Sequence, residues 1–368
     1  MQCVRRPLPV LRHAGRPTDR QPRRYGPSRR RGRTQRGTYN PLVMSAASPQ
    51  PDRSEERPDA GTDSDAGSAE VVFPARVAIV GVGLLGGSLG AALGRRAPET
   101  HRIGIGRSAR RLEQARKAGL IDEWRELDDR RPLAAELGIV CTPVDRIVDD
   151  IRHLAECLDD GALITDVGSV KGAICHSLPA VMPRGVVFVG SHPLAGSERQ
   201  GFEAASAELF SGRVSVVTPL PSTPRRAVDA VRRFWQRLGC TVVEMTPAEH
   251  DHIVARTSHL PHVAAAALTC LVDDAFRDLA GGGFTDTTRI AAGDADLWLA
   301  ILENNREEVV EAIRELESVL CEVRSALEFN DSDRLREILK LAEQRRRRFE
   351  ALRSRSTAPE RNAPADDA

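Results

Sequence analysis

The feature that most constrains this 368-residue chain is a glycine-rich turn set between a strand and a helix. Val77-Ala78-Ile79-Val80 is a short apolar run, and Gly81-Val82-Gly83-Leu84-Leu85-Gly86 follows it directly. Ser88 to Arg96 then reads as helix and His101-Arg102-Ile103-Gly104-Ile105 as a second strand. A GxGxxG match carries little weight alone, but strand, turn, helix, strand is the setting in which it marks a dinucleotide site. Gly81 permits the tight turn, Gly83 lets a pyrophosphate reach the backbone, and Gly86 lets the helix pack on the sheet. The free N–H groups of the helix N-terminus then face the phosphates. Gly81, Gly83, Leu84, Leu85 and Gly86 are therefore candidate cofactor-binding residues.

Further apolar runs follow at α/β spacing: 138–141, 162–165, 186–189, 214–217 and 241–244. Continuous apolar strands alternating with helices predict an α/β fold, a Rossmann-like doubly wound and mostly parallel sheet. From Pro247 onward no such run remains. Val263 to Leu279, Leu297 to Val323 and Arg334 to Leu352 read as helix. The expected organisation is a dinucleotide-binding domain at 74–245 followed by an all-helical C-terminal domain at 246–355. Residues 1–73 are expected to be a disordered lead and 356–368 a disordered tail, since neither has enough apolar surface to offset chain entropy.

Charge is unevenly spread. Residues 1–43 carry twelve arginines and one acid, Asp19, a charge of +11 in a chain of net +1, so the remainder sits near −10. The Arg-rich 1–43 reads either as a targeting peptide or nucleic-acid arm or, given the abrupt change at Met44, as a segment that is not translated, with translation starting at Met44. An acidic body argues against nucleic acid as a partner. No run approaches a membrane span, and seven scattered cysteines without a CxxC pair suit a reduced, cytoplasmic protein.

The type of dinucleotide depends on the end of the second strand. An NAD site usually has an acid there to hold the ribose 2′-OH. This chain has Gly106 followed by Arg107 and Ser108. NAD or NADP fits, with a slight lean to NADP through Arg107 and a 2′-phosphate.

Three segments hold nearly all the reactive side chains: Asp166-Val167-Gly168-Ser169-Val170-Lys171-Gly172, Gly190 to Glu198, and 250–291. The first two close strands, where ligands bind in open α/β sheets, so Ser169 and His192 should face the nicotinamide. Five of nine histidines fall between 192 and 262, yet His259-Leu260-Pro261-His262 is not a zinc signature, and no metal is expected. A hydrogen-bonded structural role is the plain reading for His250 and competes with a site role for His259.

GVGLLGGS, DVGSVKG, GSHPLAGSE, HDHIVARTSHLPH and DTTRIAAGDADLW, in this order, resemble the prephenate/arogenate dehydrogenase family of tyrosine biosynthesis. The resemblance spans about residues 76–330. It implies that His192 is the catalytic base for the ring hydroxyl and that Ser169 orients its imidazole. It implies that Arg289 holds a substrate carboxylate, and that Ser258, His259 and His262 line the substrate pocket. Glu198 would help gate that pocket, with Trp298 at its edge, while Thr142 and Pro143 pack near the nicotinamide. The implied reaction is oxidative decarboxylation of prephenate, or of arogenate as the alternative. The implied assembly is a homodimer through the helical domain. Family members with an added C-terminal regulatory domain are a departure, and none is expected here. A β-hydroxyacid dehydrogenase would need a lysine in the helical domain, where only Lys340 is present. A non-catalytic dinucleotide sensor would have no reason to keep Ser169, His192 and Arg289 together.

Overall fold

The computed structural model describes residues 73–196 and 199–356. The expectations for 1–72, for Glu198 and for the tail past 356 lie outside these. The chain opens with β1 (Arg76–Val80), α1 (Leu84–Arg96), β2 (His101–Gly106), α2 (Ala109–Lys117) and β3 (Glu123–Glu126). It continues through β4 (Leu137–Val140), α3 (Val144–Cys157), β5 (Leu163–Asp166), α4 (Gly172–His176) and β6 (Val187–Pro193). β7 (Val214–Thr218), α5 (Arg225–Arg237) and β8 (Thr241–Glu244) complete an eight-stranded sheet of order β3-β2-β1-β4-β5-β6-β7-β8. All neighbours are parallel except β6 and β7.

The sheet is buried on both faces, which is why its strands are near-continuous apolar runs. One face packs α3 through Ile147, Ile151 and Leu154. The other packs α1 and α5 through Leu89, Leu93, Val231, Phe234 and Trp235. β3 was not anticipated. Its residues Glu-Trp-Arg-Glu lack an apolar pattern, and it is an edge strand held by pairing of Ile103–Gly106 with Glu123–Glu126. β1 is flanked by β2 and β4, so the strand order reverses at their carboxyl ends, where a crevice for a ligand forms.

After the sheet come α6 (Pro247–Val254), a π-helical turn at Ala255–His259 and α7 (Leu260–Leu271). Then follow α8 (Gly282–Thr288), α9 (Ala295–Asn304), α10 (Arg306–Glu328) and α11 (Ser332–Ser356). A capping box starts α6: the Thr246 hydroxyl accepts from Glu249 N–H, and Glu249 accepts from Thr246 N–H at 2.8 Å.

Two expected helices are broken. α7 ends at Leu271 because Asp273 caps a separate 3-10 turn, Asp274–Leu279, by accepting from Ala275 N–H. The run 297–323 divides at Asn305, whose backbone leaves the helical region and whose side chain turns inward to bond the carbonyl of Asp251 at 2.9 Å. A tertiary hydrogen bond overrides local periodicity there. Among the described residues, no helix is long and apolar enough to cross a membrane.

Candidate active site

The cofactor cradle is built as the glycine spacing requires. Gly81 has φ +88°, and a Cβ there would lie 2.9 Å from the Thr142 methyl. A Cβ on Gly86 would lie 2.2 Å from the Gly81 carbonyl oxygen, so α1 can seat on the turn only without a side chain. Gly83 instead faces open space, with nothing within 4 Å of a would-be Cβ. No side chain caps α1, whose N-terminus begins at Leu84 with Leu85. This geometry fits a pyrophosphate held by backbone N–H groups. Thr142 closes the turn from the end of β4, and its hydroxyl donates to the buried carboxylate of Asp150 at 2.6 Å. Pro143 opens α3 beside it.

At the other end of the cradle, Arg107 is exposed and shares an open cavity of about 400 Å³ with Glu126, Asp128, Arg130 and His153. β3 pairs Glu126 with Gly106. An acid absent from the end of β2 thus stands nearby on β3, and the lean to NADP is not supported.

The loop after β5 and the end of β6 are pinned together by buried polar groups. Lys171 and Asp166 form a fully buried ion pair. Lys171 Nζ also donates to the Ser191 carbonyl at 2.9 Å. Asp166 accepts from the Ser191 and Gly168 N–H groups at 3.0 and 2.9 Å. A buried pair of this kind is tolerated only when its remaining donors and acceptors are met, as here. Asp166 and Lys171 therefore set the backbone under the site.

Alternation along β6 then separates its side chains. Ser191 points inward, where its hydroxyl accepts from Trp235 Nε1 at 2.9 Å. His192 points the other way, toward α6. Its Nδ1 lies 2.9 Å from His250 Nε2, and His250 Nδ1 lies 2.7 Å from Asp251 Oδ1. Burial is the main cause, and the neighbouring His250, Lys171 and His259 add to it, holding His192 well below the ordinary histidine range. It is therefore neutral at neutral pH.

This corrects one expectation. Ser169 is half-buried on the β5 loop, but no hydrogen bond joins it to His192, and the ring is held by His250 instead. His250 had been read as structural. The signal that could have found it was the His250-Asp251 pair one turn past the Thr246 cap.

The remaining candidates gather around one tryptophan. His262 stacks on Trp298 with centroids 3.6 Å apart and planes 12° apart, and His259 meets Trp298 edge-on at 6.2 Å. Trp298 also packs with Val144 and Val170, which adjoin Pro143 and the Ser169 loop. Burial pushes His259 down to about 4 and also lowers His262. His259 Nδ1 sits 3.2 Å from the Asn305 amide, whereas His262 Nδ1 is buried with no hydrogen-bond partner among the described residues. Arg289 is exposed on the 3-10 turn Arg289–Ala292. Gly293, just after it, abuts both Trp298 and His262. Ser258 is exposed, unlike its neighbour His259.

A dinucleotide cradle at a strand-order reversal, with a neutral histidine at the end of a nearby strand, defines the class: a nicotinamide-dependent oxidoreductase. Residues 89–244 match the family model for the prephenate dehydrogenase nucleotide-binding domain, and residues 246–341 that for its dimerization domain. The chain belongs to the prephenate dehydrogenase family. It is 32% identical to prephenate dehydrogenase of Bacillus subtilis over 72% of this chain and 74% of that one. It is 31% identical to cyclohexadienyl dehydrogenase of Zymomonas mobilis, over 73% and 94% of the respective chains. Prephenate dehydrogenase from A. aeolicus, solved with hydroxyphenyl propionate and NAD+, matches with TM-score 0.71 and 30% identity over 76% of this chain and 99% of that one.

Proposed function

We propose that this chain oxidatively decarboxylates prephenate to 4-hydroxyphenylpyruvate, in a dinucleotide-binding domain at 74–245 joined to a helical substrate and dimerisation domain at 246–355. The observation that carries the reading is His192, neutral and partly buried at the end of β6, with its Nδ1 already engaged by His250. That leaves Nε2 to take the proton of the ring hydroxyl. The bound nicotinamide would supply the hydride acceptor. Ser169, on the adjacent loop, would contact the substrate hydroxyl. Arg289 would pair with a substrate carboxylate, and the unpartnered Nδ1 of His262 would meet the polar side chain of the substrate. Ser258 would complete the proposed pocket rim.

For the cofactor, Arg107 favours a 2′-phosphate while Glu126 and Asp128 in the same cavity favour a free ribose hydroxyl. The relative kcat/KM for NAD and NADP decides between them. The assembly we infer is a homodimer through the helical domain, where Leu271, Leu279, Phe329 and Phe349 are more than two-thirds exposed. Free cysteines among the described residues suit the cytoplasm. The decisive assay is nicotinamide reduction by absorbance, with prephenate and arogenate each crossed with NAD and NADP. Turnover of prephenate is expected. Turnover of arogenate alone would reassign the substrate, and none in all four would refute the reading.

A further inference from the structure

We propose that His250 and Asp251 form a tautomer-setting relay that arms His192, with His250 as a positioning residue that also receives charge from it. This deepens the proposed function and rests on it. The argument starts at Asp251. Its Oδ1 accepts from Lys171 N–H at 2.8 Å, and its Oδ2 accepts from Gly172 N–H at 2.7 Å. Both oxygens are thus acceptors, so Asp251 is a carboxylate, and the third contact, from His250 Nδ1 at 2.7 Å, must be a donated N–H. A neutral His250 with its proton on Nδ1 has only a lone pair on Nε2. His192 Nδ1, 2.9 Å away, must then be the donor. The proton of His192 is therefore on Nδ1, and its Nε2 is a free base.

Each link is held by a different part of the fold. The two backbone donors belong to the start of α4, the histidine pair joins β6 to α6, and Asn305 fixes the Asp251 carbonyl from the break between α9 and α10. His250 is 1% exposed and Asp251 6%, so water does not compete for these bonds. The rings of His192 and His250 meet at 69° with centroids 5.1 Å apart, which leaves the in-plane nitrogens facing each other.

The relay also accounts for the charge created in the reaction. As the substrate O–H bond breaks, the proton forms a bond to His192 Nε2, and the hydride leaves for the nicotinamide. The Nδ1 proton of His192 can then pass to His250 Nε2, which places the positive charge on the ring that already donates to Asp251. The protons return along the same path when loss of CO2 turns the ring oxygen into a phenolate, which takes its proton back from His192 Nε2. No further reactant is needed.

The test uses the full chain with His250→Leu and His250→Gln. Leucine removes the acceptor, whereas the glutamine Oε1 can still accept from His192 Nδ1–H without taking a proton. Histidine-selective 15N NMR of the dinucleotide-bound protein should show His192 with a protonated Nδ1 in the wild type and in His250→Gln, and mixed tautomers in His250→Leu. With prephenate, His250→Leu should lower kcat by ~10²-fold with KM and dinucleotide affinity little changed, and His250→Gln should recover part of that loss. A protonated Nε2 on His192 in the wild type would overturn the relay, as would an unchanged tautomer and kcat in His250→Leu. A wild-type chain that ignores prephenate but shows the stated tautomer would refute the substrate instead.

Discussion

The sheet region and the helical region handle their apolar side chains in opposite ways. From β1 to β8 most large aliphatic and aromatic residues are enclosed by helices, and Trp235, Phe210, Ile79 and Ile139 are completely buried. Beyond α6, Leu268, Leu271, Phe276, Leu279, Leu320, Leu327 and Phe329 are all more than 40% exposed. The two regions have similar helices but different neighbours. The first has a sheet to cover, while much of the second faces outward along α7, α10 and α11. One region covers most of its own apolar residues, and the other leaves many of its own exposed, as the proposed dimer would require.

Four outcomes would break or sharpen that contrast. The largest effect should come from the sheet side. His192→Asn should lower kcat by ~10²–10⁴-fold while dinucleotide binding and oligomeric state persist, as steady-state kinetics and calorimetry would show. Next, Leu271→Glu with Leu279→Glu should weaken self-association by roughly 100-fold or more, judged by sedimentation. Dinucleotide affinity should not change, and a parallel loss of it would show that the sheet region is not self-sufficient. Arg289→Ala should raise KM for prephenate by about 10–100-fold, the worth of a charged hydrogen bond, with a smaller change in kcat.

The smallest effect is on stability. Burial holds His259 at about 4, below its ordinary 6.5, so its neutral form is favoured on folding. That contribution is complete above pH 6.5 and is lost as the pH falls toward 4. The melting midpoint should drop by a few degrees more on acidification for the wild type than for His259→Asn. Equal drops would remove His259 from the account.

Much of this was legible in the residues, and the exceptions have physical reasons. The Gly81 turn, the apolar strands and the helical C-terminal region follow from local pattern. β3 carries no such pattern because an edge strand with charged residues is defined by its neighbour's hydrogen bonds. The break at Asn305 comes from one buried amide reaching Asp251, 54 positions away in sequence. At the site, the position of His192 could be read from the strand end. Its partner was marked only by the His250-Asp251 pair, and the bond itself depends on how α6 docks against β6. Ser169 was the nearer choice in sequence, while the Nδ1 of His192 meets His250 in space.

The hydrogen-bonded chain from His192 to Asp251 also has a consequence for the order in which the protein becomes competent during synthesis. The last strand ends at Glu244, so a nascent chain can complete its dinucleotide cradle before His250 and Asp251 have emerged. Asn305, which clamps Asp251, arrives some fifty residues later still. A chain interrupted between these points would hold dinucleotide beside a loosely held imidazole. Incomplete copies would then sequester a little cofactor without oxidising anything, and chemistry would begin only once the last clamp is made.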